Sequence, residues 1–341
     1  MSVTGAGLRD QPVGGLIHES VMDRLFQIDV IPLPFTSRVG SGTVGNARFS
    51  WTIDTLASPV IDGQIVDGAE TITEDDTSLG TRVNNFTEID VKVVKVSTRA
   101  EQSDTIAYQN ALSHQVLQRG RELRRDVEAI MLSNNASQQD DGSVTPGMTG
   151  GLDAWLVTNT SNGAAGLNGG FNTTTGIVDA YTPGTPRALS ETVFKDLLQS
   201  VYQEGGEVTA CMGTPAVVRI FSEYQFTDGA RVATMQRDTN NGDRSKGTAL
   251  GAVNMYIGDF MTVEIVANRL QQPIATDVST LFMLDYSLLA QVFLTGYRVQ
   301  PLAKTGLTDI RQMIVDWGLR VGNEAGCGAF RDIDETTPMV A

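Results

Sequence analysis

Residues 103–135 read SDTIAYQNALSHQVLQRGRELRRDVEAIMLSNN. Tyr108, Leu112, Val116, Leu123, Val127 and Ile130 or Met131 recur at spacings of three, four and seven, the period of one helical face. Asp104 or Ser103 is the expected N-cap, which gives a rod roughly 45 Å long at 1.5 Å per residue. The apolar stripe is narrow, and Gly120 sits in it where a larger side chain is expected, a cost of up to about 1 kcal/mol that permits close approach of another backbone. Arg121, Arg124 and Arg125 point away from the stripe, and Arg119 to Arg125 interleave with Glu122, Asp126 and Glu128 at ion-pair spacing. Such a rod rests one edge on a partner and leaves the other to solvent.

Upstream, the first forty or so residues mix Gly, Pro and short apolar pieces, an arm rather than a domain, with IPLPF at 31–35 expected to be extended. Gly40, Gly42 and Gly45 match G-x-G-x-x-G, but prolines precede them and a strand follows, so a flexible loop is expected rather than a dinucleotide site. Phe49, Trp51 and Ile53 alternate with polar residues as one strand, and 86–96 is expected to be its partner. There Ile89, Val91 and Val93 share one face before the phase slips to Val94 and Val96, the mark of a bulge and of a change in the buried face. Between the strands, Asp54, Asp62, Asp67, Glu70, Glu74, Asp75 and Asp76 face a single base, Arg82. A long hairpin is marginal alone in water, so this one must lie on its own body or on a neighbouring copy.

Downstream, 142–186 is rich in Gly, Asn and Thr and is expected to be loops pinned by Trp155. A helix follows with Ser190 as N-cap, Phe194, Leu197, Leu198 and Val201 as its stripe and Gly205-Gly206 as its stop. A buried strand, EVTACMG, leads to Thr214-Pro215, which starts another helix. Residues 238–247 are expected to form an exposed polar loop without the glycine register or late Glu of a calcium site, and 254–266 a hairpin turning at Gly258-Asp259. The sharpest strand signal comes last: Met313, Val315, Trp317, Leu319 and Val321 alternate with more polar neighbours, and the rod's stripe is the natural cover for that face.

The 341-residue chain is 41% hydrophobic with a formal net charge of −15, which argues against a protein that grips phosphates and suits a container better than a binder of nucleic acid. No run has the length of a membrane span, and the N-terminus lacks a secretory signal, so a cytosolic origin is expected. Cys211 and Cys327 lack metal or redox spacing and are expected to be reduced core residues. The two histidines, His18 and His114, stand in no catalytic spacing. No catalytic, cofactor-binding or metal-ligating residue is identified, and no cofactor is expected. Competing readings are an enzyme with a pocket in the Gly-rich loops at 142–186 and a DNA-binding module using the rod's arginines.

Taken together, AYQNALSHQVLQRGRELRRDVEAIMLSN, GGLDAWLVTN, ALSETVFKDLLQSVYQEGG and PLAKTGLTDIRQMIVDWGLRVGNEAG resemble the SU10-type major capsid proteins of tailed phages. The resemblance spans about 40–335 and is most specific at 301–326. It implies an α+β, HK97-like capsid fold with an N-terminal arm (1–44), an E-loop hairpin (45–99), a P-domain spine helix (100–141), an axial α/β A-domain (142–296), and a P-domain strand with C-terminal tail (297–341). It further implies a major capsid protein of a bacteriophage virion, self-assembling as hexamers and pentamers into an icosahedral shell around packaged DNA, without catalysis or membrane, built in the bacterial host cytoplasm. Its candidate inter-subunit contacts are Trp51, Asp67, Glu70, Glu74, Asp75 and Asp76, and its candidate inner basic face, touching DNA at most weakly, is Arg121, Arg124 and Arg125. Some relatives crosslink through an E-loop lysine; 54–85 has none, so that route is not expected. Only some forty residues precede the hairpin, so a separate scaffolding protein is expected, alongside a portal and a decoration protein.

Overall fold

The structure, a computed structural model, describes residues 33–56, 59, 61, 67–68, 70, 80–103, 110–225, 255–304 and 306–340. Its first part runs β1 (Gly40–Thr43), β2 (Arg48–Ile53), β3 (Thr81–Phe86), β4 (Glu88–Ser97), α1 (Thr98–Gln102) and α2 (Ala111–Met131). The middle follows as α3 (Leu152–Trp155), β5 (Thr160–Ser161), β6 (Gly170–Asn172), β7 (Ile177–Asp179), α4 (Glu191–Gln203), β8 (Ala210–Gly213) and α5 (Pro215–Gln225). The last part is β9 (Met255–Ile257), β10 (Thr262–Ala267), β11 (Val278–Leu284), β12 (Leu289–Pro301), β13 (Thr308–Val321) and β14 (Gly328–Asp334).

Two larger sheets organise these strands. One is four-stranded in the order β1-β12-β13-β4; the other is six-stranded in the order β5-β14-β11-β8-β10-β9. β8 and β10 run parallel, with Cys211 opposite Ile265, as expected when a helix carries the chain between them. Leu197, Leu198 and Val201 of α4, Val217, Ile220 and Phe221 of α5, and Cys211, Val263, Leu281 and Phe330 of the sheet form one buried apolar cluster. The stripe and the stop of α4 are those expected: Phe194 and Val201 are fully buried, and Gly205 takes φ 88°, which only glycine adopts freely. In β13, Met313, Val315, Trp317, Leu319 and Val321 are all buried, as their alternation required.

The chain forms two compact units. One gathers described residues of 92–121 and 299–313; the other gathers those of 32–91, 122–298 and 314–341. In the first unit the Thr98 N–H donates to Leu307 O and the Leu302 N–H to Ile310 O, and Glu101 accepts from the Leu112 N–H at 3.0 Å. Gly120 faces Met313 there, but a Cβ at Gly120 would lie 3.7 Å from the Met313 sulfur, an ordinary contact. Space therefore does not require glycine in the rod.

Several expectations need correction. The rod does not start at Ser103: that residue caps the C-terminus of α1, and 104–109, with Tyr108, lie outside the described residues. The Asn110 side-chain oxygen accepts from the Ser113 N–H at 2.7 Å and opens α2, which is 21 residues and so roughly 30 Å long. Its stripe is deepest at Leu123, Val127 and Met131, whereas Leu112 and Val116 are half-buried.

The strand expected over 86–96 is two strands. β2 pairs with β3, Trp51 opposite Val83, and the chain breaks at Thr87, whose N–H donates to Ala47 O, before β4 enters the four-stranded sheet. The slip in hydrophobicity marks no bulge and no change of face: β4 alternates without interruption, with residues 88, 90, 92, 94 and 96 on its inward side. Ile89, Val91 and Val93 face solvent, and Val94 is buried on the same side as Glu88 and Asp90, so the apolar run 89–93 belongs to the outer face. Gly40 and Gly42 lie in β1, parallel to β12, rather than in a loop, and a strand follows them where a dinucleotide site needs a helix. Finally, 33–39 is turned, not extended: the Ser37 N–H donates to Leu33 O and the Val39 N–H to Phe35 O.

Candidate assembly surface

The β2–β3 ribbon is fastened at its root to its own body by aromatic rings. Phe49 stacks on Trp51 at 5.8 Å, Trp51 lies 5.4 Å from Trp155, and Trp155 stacks on Phe171 at 5.9 Å. The Trp51 indole N–H donates to Gly322 O at 3.2 Å. β13 admits this column only because residue 318 is glycine: a Cβ there would stand 2.6 Å from Cε1 of Phe49. Arg48 adds a donor to Asn84 at 3.0 Å, and its guanidinium lies over Phe86. Beyond the root, Leu56 and Ile61 are 100% and 93% exposed, a degree of exposure that leaves their apolar surface without cover from their own chain.

Polar groups fix the joint where the ribbon becomes β4. Asn85, fully buried, donates to Leu319 O at 2.8 Å and accepts from the Gly150 N–H at 2.9 Å. Glu88 accepts from the Thr149 N–H at 3.1 Å, and burial, against that bond, pushes its carboxyl up to about 7, with Asp90 adding to the rise. Asp90 accepts from the Trp317 indole N–H at 2.7 Å.

Glu128, on α2, is fully buried and was expected to form surface ion pairs. Instead it accepts from the N–H groups of Phe35 and Thr36, both at 2.8 Å, from the Thr36 hydroxyl at 2.7 Å and from Asn268 Nδ2 at 2.9 Å. The carboxylate thus does what an N-cap does for the turn at 33–39, across 93 residues of sequence. Pro34 opens the turn, where its missing N–H costs nothing. Arg38 completes the anchorage with a bidentate pair to Glu264, and that bond holds its guanidinium above the usual arginine range.

The Gly-rich loops at 142–186 close on Arg331, which is fully buried. Arg331 donates to Asp153 at 2.7 Å, to Leu156 O at 2.9 Å and to Asn168 Oδ1 at 3.2 Å, and its guanidinium lies 4.1 Å from the centre of the Tyr181 ring. Burial pushes the Asp153 carboxyl up while the guanidinium pulls it down. Arg331 and Asp153 therefore serve one another inside these loops, and Trp155, 2% exposed, pins them as expected. Cys211 and Cys327 are buried free thiols, both raised by burial, Cys327 to about 12, so neither is a ready nucleophile.

Of the candidate contact residues, Trp51 belongs to the ribbon root, and Asp67 and Glu70 are exposed beyond it; Glu74, Asp75 and Asp76 lie outside the described residues. Arg121 and Arg124 are exposed and Arg125 is half-buried, with the Arg124 guanidinium 5.4 Å from the centre of the Tyr297 ring. His18, the polar stretch 238–247 and Asp62 also lie outside the described residues. Among the described residues, no group of His, Cys, Asp and Glu is placed to hold a metal, and no helix is long and apolar enough to cross a membrane. Sequence reading missed Glu128 and Arg331; the only local signal was a charged residue between buried apolar neighbours, Val127 and Met131 or Phe330 and Ile333.

Known proteins share this arrangement. The chain is 28% identical over 227 residues to the major capsid protein of Escherichia phage Phieco32, an alignment covering 58% of this chain and 64% of that protein. The cyanophage A-1(L) capsid subunit superposes with a TM-score of 0.62 at 13% identity, covering 94% of this chain and 98% of that one. The encapsulin SrpI of Synechococcus elongatus superposes with a TM-score of 0.51 at 10% identity, covering 92% and 94%. The fold is therefore the HK97-like fold shared by phage capsids and encapsulins. The family model of the SU10 major capsid protein matches residues 3–334, and the chain belongs to that family.

Proposed function

We propose that the chain is the tile of an icosahedral shell around a phage genome, joined to further copies of itself as hexamers and pentamers. The observation that carries this reading is the ribbon: its root is fixed by Trp51 and Trp155, while Leu56 and Ile61 beyond the root stand uncovered. A neighbouring copy supplies the missing cover. The acidic residues Asp67 and Glu70, with Glu74, Asp75 and Asp76, make the charged part of that contact, and Trp51 acts by holding the ribbon's base.

The tile performs no catalysis in this reading, a role consistent with loops whose buried carboxylate, Asp153, is paired with Arg331. Arg121, Arg124 and Arg125 line the inner face and touch packaged DNA weakly and without sequence preference, because a chain of net charge −15 is repelled by phosphate except where arginines project. A separate scaffolding protein directs assembly in the host cytoplasm, and a portal occupies one vertex.

The test replaces 57–79 with a short Gly-Ser linker, leaving β2 and β3 intact. The expected result is an unchanged circular-dichroism spectrum and melting profile with no closed particles by negative-stain microscopy. Normal shells from that variant would end the ribbon's proposed role.

A further inference from the structure

The joint at Thr87, where the chain leaves the β2–β3 ribbon for β4, is packed with polar groups and holds a carboxylate, that of Glu88, whose hydrogen-bond partner is a backbone N–H. Glu88 is half-buried and accepts a single backbone N–H, from Thr149. The groups around it come from four places. β4 itself brings Asp90, a second negative charge on the same inward face. β3 brings Asn85, whose amide is committed to Gly150 and Leu319. The segment at 149–150 brings Thr149, whose hydroxyl also accepts from the Leu319 N–H. β13 brings Trp317, bonded to Asp90. Beyond Asp90 lie Tyr297 of β12 and, over its ring, Arg124 of α2.

We propose that Glu88 is a proton-operated lock on the root of the ribbon: protonated, it stays in the packed joint; ionised, it becomes a poorly solvated charge beside Asp90 and opens the joint to water. The joint is the place where such a device has leverage, because the residues it holds together belong to the ribbon, to β13 and to the loop that carries Trp155. The rise of the Glu88 carboxyl to about 7 puts the change within the range that a cell or a buffer reaches. The lock is a property of the folded chain, so it stands or falls apart from the ribbon's role in assembly.

Hydrogen exchange on the unassembled full chain tests it. Corrected for the intrinsic chemical rate, amides in peptides covering 82–91 and 145–152 should lose protection about tenfold between roughly pD 6 and 8. Glu88→Gln should remain as protected at the higher value as the native chain is at the lower. Asp90→Asn, which keeps an acceptor for Trp317 and removes the neighbouring charge, should move the midpoint to lower pD. Should Glu88→Gln fold poorly, the Asp90→Asn midpoint decides alone. A flat native profile, protection that rises with pD, an identical profile in Glu88→Gln, or an unmoved midpoint in Asp90→Asn would each overturn the lock.

Discussion

Phe49 of β2 lies so close to Gly318 of β13 that a Cβ at 318 would stand 2.6 Å from its ring and 3.1 Å from Phe86 O. Gly318→Ala should therefore force the ring column of Phe49, Trp51 and Trp155 to shift, at a cost of about 1–3 kcal/mol. Chemical denaturation checks the loss. Gly318→Ala combined with Phe49→Leu should recover part of it, and a full cost in the double variant would show that the ring is not the obstacle.

Gly120 is the opposite case. A Cβ there meets the Met313 sulfur at 3.7 Å and nothing closer, so Gly120→Ala should stabilise the chain by up to about 1 kcal/mol through helix propensity and the unfolded state. A rise in Tm of the soluble chain is the expected outcome.

Glu128→Ala should cost several kcal/mol, on the order of 3, because the Phe35 N–H and Asn268 are buried and lose their acceptor. Limited proteolysis should then cut near 33–39 faster than in the native chain. Glu128→Gln, which keeps an oxygen, should fall between the two.

Arg331→Met leaves the Asp153 carboxylate buried without its partner and should destabilise by about 3–5 kcal/mol. Adding Asp153→Leu removes the orphaned charge, so the double variant should be more stable than Arg331→Met alone. Urea midpoints of the two variants compare them directly.

Stability should also depend on pH through Glu88. Burial pushes its carboxyl up to about 7, above the ordinary carboxylate value of 4.5, so the folded state binds the proton more tightly than the unfolded chain does. Stability from this group is full below about 4.5 and falls as pH rises to 7, by on the order of 2–3 kcal/mol, then stays level. Asp141 has the opposite sign. Backbone N–H groups of Ser143 and Thr145 hold its carboxyl down at about 2, so its contribution is present above 4 and disappears as pH falls through 2. Urea midpoints at a series of pH values should decline from 5 to 7 in the native chain and decline less in Glu88→Gln.

Much of this architecture is legible in the sequence wherever one element carries its own period. The stripe of α4, the alternation of β13, the Thr214-Pro215 start of α5 and the turn at Gly258 all depend on neighbours within a dozen residues. What escaped is long-range. Glu128 reads as one more charge on a polar helix until Phe35, 93 residues away, lays its N–H against it. Arg331 and Asp153 are 178 residues apart. The break at Thr87 is invisible because Phe86, Ile89 and Val91 read as one apolar strand, and only the choice of pairing partner separates them. The alternation in β4 even points the wrong way, since the side of greater hydrophobicity faces outward.

The placement of β14 has a consequence for synthesis. This strand lies between β5 and β11, yet it comes from residues 328–334, so the interior of the six-stranded sheet stays open until translation has passed them. A nascent polypeptide on the ribosome therefore lacks a finished body with which to join others. A chain cut short of residue 328 is left with unpaired edges at β5 and β11 inside its own sheet.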